Sequence, residues 1–334
     1  MAATHIATPI YDRVKEVKEF DESKMGVKGL VDSGITSIPN MFIHPPETLS
    51  TLKKPTSQTC TKKSIPLIDL SNFNIPTKRH QLVEQIRDAT SSWGFFQVIN
   101  HGIPLSVLDE TMNAIKAFHD QPHEVKSKLY TRAHDREGVI YTSNYDLYRT
   151  NAATWHDSLA VWLSPEKRRA EEKEIPEVCR KELLAWDLHS EKVAETLLEL
   201  LSEGLDSGLT VLLQNQVGGL QVKHDDEWVD VEAVEPIPGA LTINIGDTIQ
   251  IMSNDKYISV EHRVLAKASK EPRISVVAFF NLETESDTNY FGPLPELLTP
   301  DKPALYRNFT MPEFQEGFYS KGLDSKSFIQ KIRL

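Results

Sequence analysis

Residues 201–280 read LSEGLDSGLTVLLQNQVGGLQVKHDDEWVDVEAVEPIPGALTINIGDTIQIMSNDKYISVEHRVLAKASKEPRISVVAFF. Short apolar runs alternate in this stretch with glycine, asparagine and aspartate, the residues that favour turns. The predicted strands span residues 209–214, 219–223, 228–231, 240–245, 248–252, 259–265 and 273–281. Many short strands at this spacing indicate an all-β sandwich or barrel. Asp206, His262 and Arg273 stand at the ends of these apolar runs, a placement typical of a metal site on a small β-barrel.

The chain before this stretch mixes helices and strands. A strand is predicted for residues 65–70, a helix for 78–92, a strand for 95–99, a helix for 104–128, paired strands within 130–163 and a helix for 176–201. We therefore expect four segments. Residues 1–63 form an extended N-terminal arm, 64–200 pack helices and strands on the barrel, 201–285 form the barrel with its site, and 286–334 form a C-terminal tail.

Composition narrows the class of function. The net charge is −11 and the pI is about 5.5, which argues against nucleic acid or an anionic membrane as a partner, because a polyanion requires a basic face. Cys60 and Cys179 have no second ligand at metal-binding spacing, so we expect free thiols. The N-terminus lacks an apolar leader, and no apolar run approaches membrane-spanning length. We expect a monomeric cytoplasmic protein with a small-molecule substrate.

Other histidines are better explained by structure than by chemistry. His119 and His123 are four residues apart, but no third ligand accompanies them, so a solvated helix end is expected. His156 and Asp157 are adjacent on a predicted strand and therefore point to opposite faces. His224 lies among acidic residues in a predicted hairpin turn.

Several motifs together resemble the plant iron(II)/2-oxoglutarate-dependent dioxygenases. They are FDESKMGVKGLVDSGITSIPNMFIHP, IPLIDLSNF, WGFFQVINHGIP, YTSNYDLYRTNAATWHDSL, NQVGGLQV, PGALTINIGD, SNDKYISVEHRVL, PRISVVAFF and FYSKGLD, and they cover nearly the whole chain. More narrowly, the chain is similar to the 1-aminocyclopropane-1-carboxylate oxidase homologues, a branch that includes deacetoxyvindoline hydroxylase-like enzymes. No single motif establishes the likeness, which rests on the set.

The resemblance implies a double-stranded β-helix, or jelly-roll, core with an iron site. Family members hold iron with His-x-Asp and a distal His, and His262 in SVEHRVL matches the distal His. An Arg-x-Ser motif, matched by Arg273 and Ser275, binds the far carboxylate of 2-oxoglutarate. The residue types agree with that role, because arginine offers a planar fork and serine a hydroxyl donor. Two residues apart on a strand, they point to one face.

The implied reaction uses Fe(II), 2-oxoglutarate and O2, with ascorbate as a supporting reductant. A small specialised metabolite would be hydroxylated or demethylated while 2-oxoglutarate gives succinate and CO2.

The chain departs from the family pattern just before the first barrel strand. LLSEGL joins DSGLTVLLQ directly, where relatives place some tens of residues that include a strand and the proximal His. Asp206 lies 56 residues before His262, which matches the family register, but Gly204 stands where that His is expected. Glu203 or His224 are substitutes that the spacing does not favour. Only Asp206 and His262 are carried over as metal candidates.

The expected fold is therefore mainly β with flanking helices, its jelly-roll core lacking one strand and the loop that carries the proximal His. Neighbours of the lost strand would show unpaired edges. The alternative to an active enzyme is a catalytically impaired pseudoenzyme, or a truncated splice or gene-model product.

Overall fold

The structure is a computed structural model that describes residues 11–51, 64–133, 137–201, 208–231, 237–266, 269–281, 289–320 and 326–334. The chain forms two compact units, each assembled from separated stretches. The first unit comprises Met1–Lys53 and His119–Ala170, and the second comprises Lys54–Phe118 and Glu171–Leu334. The four-segment division by role stays a prediction.

Helices and strands alternate irregularly along the chain. The α-helices are α1 (Arg13–Ser23), α2 (Gly26–Asp32), α3 (Pro46–Thr51), α4 (Pro76–Ser92), α5 (Leu105–His119), α6 (His123–Lys126), α7 (Arg180–Leu201), α8 (Asp247–Met252), α9 (Met311–Ser320) and α10 (Ser327–Ile332). The strands are β1 (Leu67–Asp69), β2 (Phe95–Ile99), β3 (Val139–Ser143), β4 (Asp157–Val161), β5 (Leu209–Gln214), β6 (Leu220–His224), β7 (Glu227–Asp230), β8 (Leu241–Ile245), β9 (His262–Val264), β10 (Ser275–Phe280), β11 (Tyr290–Phe291) and β12 (Phe309–Thr310).

In the first unit, N-terminal helices accompany the antiparallel β3–β4 pair. Where the sequence predicted an extended arm, the described residues contain α1, α2 and α3. Helix α1 is capped by Asp12, whose side chain accepts from the Lys15 amide at 3.1 Å. The helix buries Val17 and Phe20 on one face. Burial of one apolar face therefore accounts for α1 within this proline-containing stretch.

In the second unit, two sheets form the β core. One has the order β1-β2-β8-β5-β10, with β1 parallel to β2 and the other neighbours antiparallel, and the other has the order β7-β6-β9. Within the described ranges β9 and β10 are edge strands, so neither sheet closes. The unit is mainly strands with flanking helices, as predicted, and the open sheets agree with a jelly-roll core that lacks a strand.

The five-stranded sheet has two different faces. Phe95, Leu212 and Val277 pack with residues of β6 in the core between the sheets. The opposite face is apolar and faces helices α4 and α7, with Phe96, Ile243 and Val211 fully buried. We call the first face, toward the second sheet, the inner face. Besides its apolar residues, it carries polar residues in register across the strands: Gln97, Thr242, Asn244, Thr210, Gln214 and Ser275.

Two local predictions from the sequence are wrong. Residues 248–252 form α8 instead of a strand, because Ile251 joins an apolar cluster with the C-terminal helices. A five-residue apolar run does not distinguish strand from helix by periodicity, so packing decides. The helix predicted to continue to residue 128 ends at His119, and Pro122 precedes the separate short helix α6.

Cys179 is a buried free thiol, as predicted, whereas Cys60 lies outside the described residues. Among the helices that the structure describes, none combines the length and the apolar character needed to cross a membrane.

Candidate 2-oxoglutarate and metal site

Arg273 and Ser275 lie together at the start of β10. Ser275 pairs with Gln214 of β5, and it shares a face of β10 with Val277, which packs between the sheets. Arg273 donates through Nη2 to Gln214 Oε1 at 2.7 Å and through Nη1 to Ser275 Oγ at 3.2 Å. A half-buried guanidinium and a hydroxyl are thus presented at one end of the inner face. These are donor groups that suit a carboxylate.

His262 begins β9 on the facing sheet. It is paired in register with Val222, and its ring centroid lies 5.2 Å from that of Phe95, an inner-face residue of β2. His262 is exposed, and its Nδ1 lies 3.3 Å from the Val260 carbonyl oxygen. His262 therefore borders the space between the two sheets.

Desolvation by the surrounding protein lowers the pKa of His262, against the opposing effect of the Val260 carbonyl. The more distant charges of Lys326 and Asp247 act on this pKa in opposite directions. The net lowering favours the neutral imidazole, which is the form that binds a metal ion.

The other predicted metal ligand, Asp206, lies outside the described residues, as do Glu203 and Gly204. Across the part of the chain that the structure describes, no group of three His, Cys, Asp or Glu residues is placed to hold a metal ion. Among the described residues, Arg273 and Ser275 therefore fit a carboxylate co-substrate. For iron, the described residues include one of the predicted ligands, His262. One donor does not define a metal site, so no reaction step through the metal follows from it.

Two matching families cover most of the chain. Residues 65–180 match the family described as "non-haem dioxygenase in morphine synthesis N-terminal". Residues 195–282 match the 2OG-Fe(II) oxygenase superfamily. The 1-aminocyclopropane-1-carboxylate oxidase homolog 6 of Arabidopsis thaliana is 39% identical, with 98% of this chain and 99% of that protein covered. A homolog from Solanum lycopersicum is 38% identical, with 97% and 98% covered.

The chain belongs to the 2OG-Fe(II) oxygenase superfamily. Its relatives place it in the branch of plant 1-aminocyclopropane-1-carboxylate oxidase homologues. It is a 2-oxoglutarate-dependent dioxygenase, an oxidoreductase of a family that uses Fe(II), 2-oxoglutarate and O2. The expectations for family, fold class and cofactors are confirmed at this level.

Solved structures of related oxygenases agree with the fold. JOX2 in complex with 2OG, Fe and JA superimposes with a TM-score of 0.74 at 26% identity, with 92% of this chain and 97% of JOX2 covered. The rice dioxygenase for auxin oxidation superimposes with a TM-score of 0.63 at 21% identity, with 81% and 100% covered, and supports the fold alone.

This oxygenase is shorter than its relatives within the matched region. The alignment with homolog 6 extends over 368 positions, whereas the chain has 334 residues, so at least 34 positions of that alignment have no counterpart in this chain. The missing positions agree with the sequence prediction that a strand-bearing segment is absent.

Two other residues considered as metal ligands in the sequence, Asp157 and His224, have structural roles in this oxygenase. Asp157 accepts the Val27 and Lys28 amides at 2.8 and 2.9 Å, and so caps α2. His224 ends β6, before a two-residue turn with positive φ at both positions, and its ring stacks on Trp93 with centroids 3.7 Å apart. The hairpin turn predicted for His224 is confirmed. His156 and Asp157 were expected to be adjacent on one strand, but β4 begins at Asp157 and His156 lies just before it.

His119 differs from its prediction. Its ring lies 6.1 Å from that of Tyr141 and is half-buried, so it is not a solvated helix end. Burial lowers the pKa of His119. Contact with a residue distant in sequence was not visible from the helical spacing alone.

Gln214, which contacts Arg273, was missed in the sequence. The only available signal was a pair of amide residues, Gln214 and Asn215, that ends an otherwise apolar strand. Its meaning depends on the pairing of β5 with β10, which brings position 214 opposite Ser275.

Proposed function

We propose that this oxygenase hydroxylates or demethylates a small specialised metabolite and converts 2-oxoglutarate into succinate and CO2 in the same reaction. The observation that carries the proposal is the placement of Arg273 and Ser275 beside Gln214, on the face of β10 that points between the sheets. A fixed guanidinium with a neighbouring hydroxyl can bind one carboxylate through several charge-assisted hydrogen bonds.

The proposed roles divide between carboxylate binding and metal binding. Arg273 and Ser275 hold the far carboxylate of 2-oxoglutarate, and His262 and Asp206 are the proposed metal ligands. Bound iron, with O2, would supply the oxidising chemistry, while the protein binds, orients and shields the reactants. The polar side chains along the inner face, such as Thr210 and Asn244, would contact polar atoms of the bound molecules.

The exposed ring of Phe279 supports the proposal that a small-molecule substrate binds here. Phe279 lies on the same face of β10 as Ser275, in register with Thr210, and 68% of its surface is exposed. An exposed aromatic ring beside polar groups provides apolar contact area for a small molecule. The chain is proposed to act as a monomer in the cytoplasm, which size-exclusion chromatography and a fluorescent fusion would test.

The experiment measures succinate formed from 2-oxoglutarate by the Fe(II)-loaded protein with ascorbate, with and without a panel of small plant metabolites. Arg273→Lys keeps the charge but loses the planar fork, so we expect the KM for 2-oxoglutarate to rise by about 10- to 100-fold. Arg79→Lys is the matched control, because Arg79 pairs with Glu199 at 2.7 Å between helices α4 and α7.

Equal KM values for the Arg273→Lys variant and the wild type would show that 2-oxoglutarate binds elsewhere. The family similarity does not favour the alternative of a catalytically impaired or truncated product. That alternative predicts no succinate above the protein-free blank for the wild type, and such a result would overturn the proposed activity.

A further inference from the structure

Two consecutive residues at the end of β5 hold Arg273 from two sides. Gln214 contacts the guanidinium, with Oε1 accepting from Nη2 at 2.7 Å. Asn215 contacts the backbone on both sides of Arg273. Its Nδ2 donates to the Pro272 carbonyl at 2.9 Å, and its Oδ1 accepts from the Ile274 amide at 3.1 Å.

The main chain of Asn215 adds a third fixed point, because its amide donates to the Ile274 carbonyl at 3.0 Å. The peptide groups before and after Arg273 are therefore both tied to one residue. This matters because Arg273 precedes β10, whose ladder begins at Ser275. Without Asn215, the backbone that carries the guanidinium would have fewer fixed contacts to the sheet.

The chemistry of Gln214 is suited to orienting a charge without cancelling it. An amide oxygen accepts a hydrogen bond but is neutral, so the guanidinium keeps its attraction for an incoming carboxylate. A carboxylate at the same position would form a salt bridge with Arg273 and compete with that ligand. Ser275, opposite Gln214 in register, is likewise neutral and accepts from Nη1.

We propose that Gln214 and Asn215 are positioning residues for the 2-oxoglutarate carboxylate, Gln214 by aiming the guanidinium of Arg273 and Asn215 by fixing its backbone. The inference rests on the proposed function, in which Arg273 binds that carboxylate. Neither residue needs to touch the reacting atoms. Binding groups work best when their own rotamers are held by supporting hydrogen bonds. For the comparable partners that orient metal ligands, mutation typically costs about 10- to 100-fold in affinity or activity, and we use that range here.

The test uses the full chain loaded with Fe(II) under anaerobic conditions, with 2-oxoglutarate affinity measured by titration calorimetry. Gln214→Glu has nearly the wild-type shape and retains an acceptor for Arg273, so a purely structural role predicts unchanged affinity. We expect instead a Kd for 2-oxoglutarate about 10- to 100-fold higher, with Tm within about 2 °C of wild type. Gln330→Glu, on the exposed face of α10, introduces the same charge away from β10 and is the control.

Asn215→Ala removes both side-chain contacts to the backbone. We expect the KM for 2-oxoglutarate to rise by about tenfold or more while kcat falls less. Asn215→Asp retains an acceptor for the Ile274 amide but loses the donor to Pro272, so an intermediate effect is expected. The Gln214→Glu result stands by itself if either Asn215 variant fails to fold.

Arg273→Ala separates the two hypotheses. If it binds 2-oxoglutarate as tightly as wild type, or if wild type itself does not bind, the proposed function is wrong and the positioning role falls with it. If Arg273→Ala abolishes binding while Gln214→Glu binds like wild type, only the positioning role is overturned.

Discussion

Lys326 connects the start of α10 to α8 and to the segment before β9, in part through a mostly buried ion pair with Asp247. Its ammonium donates to Asp247 Oδ1 at 2.6 Å and to Ser259 Oγ at 2.9 Å. The side chains of Lys326 and Asp247 are only 17% and 10% exposed. Ser259 lies three residues before His262, so we expect Lys326→Met to weaken the attachment of the C-terminal helix and the approach to β9.

The expected loss of unfolding free energy in Lys326→Met follows from the burial of the Lys326–Asp247 pair. Removing one partner of a buried pair costs roughly 3–5 kcal/mol, whereas exposed pairs contribute ~0–1 kcal/mol. Because both side chains keep slight exposure, we expect Lys326→Met to lower the free energy of unfolding by about 2–4 kcal/mol. Lys223 provides the matched control, since its ammonium lies the same 2.6 Å from Glu261 but the two side chains are 36% and 47% exposed. We expect Lys223→Met to cost ~0.5 kcal/mol or less.

The assay is equilibrium unfolding in urea, followed by circular dichroism and fluorescence, with both probes required to give one transition. The double variant Lys326→Met/Asp247→Asn should lose less than the sum of the single variants, because neither charge is then left buried alone. If Lys326→Met costs no more than Lys223→Met, burial does not strengthen this pair and the reasoning is refuted.

Three further perturbations test other parts of the structure. Asp157→Ala should lower unfolding free energy by ~1–2 kcal/mol and speed amide exchange in α2, because two helix-end amides lose their acceptor. Burial alone would raise the pKa of Asp255, but hydrogen bonds from Tyr306, Gln250 and Arg333 outweigh it and hold that pKa below 3.8. The carboxylate therefore stabilises the fold above pH ~4, and that contribution is lost as pH falls through the lowered pKa, so Asp255→Asn should flatten the acid limb of a stability–pH curve. Leu212→Ala, at a site 8% exposed between the sheets, should cost ~2–5 kcal/mol in urea unfolding.

Each of these expectations has a contradicting result, and the first also has a control. Asp157→Asn retains one acceptor, and a loss as large as that of the alanine variant would contradict the capping role. An unchanged acid limb in Asp255→Asn would contradict the lowered pKa. A cost below ~1 kcal/mol for Leu212→Ala would mean that the inter-sheet core is not formed as described.

Much of the fold could be predicted from the sequence because the strand signals are strong. The predicted strands at 95–99 and 209–214 coincide with β2 and β5, where apolar residues are grouped between turn residues. The prediction was wrong at 248–252 because burial of α8 depends on C-terminal residues more than fifty positions away. Local pattern carries no information about such contacts.

The residues of the candidate site were predictable from the sequence, but the residues that hold Arg273 in place were not. Arg273, Ser275 and His262 were identifiable because they stand in short motifs, PRISVVAFF and SVEHRVL, that resemble those of a known family. Gln214 and Asn215 were not, because their contacts with Arg273 and its neighbours depend on the register between β5 and β10. Asp206 lies outside the described residues, and its metal-binding role stays a prediction.

The open edges of the two sheets agree with the absence of a segment that relatives carry. Within the described residues β9 and β10 each pair on one side only, and they are the strands that begin with His262 and Ser275. Relatives carry at least 34 aligned positions that this chain lacks. Grafting a relative's segment between α7 and β5 should therefore raise Tm, if that segment covers these edges.

The most direct test of the central claim is the absorption spectrum of the anaerobic protein during addition of Fe(II) and then 2-oxoglutarate. The proposed site predicts a metal-to-ligand charge-transfer band that requires both additions and is lost in His262→Ala and weakened in Arg273→Ala. A folded wild-type protein that shows no such band would contradict an oxygenase site built from His262 and Arg273.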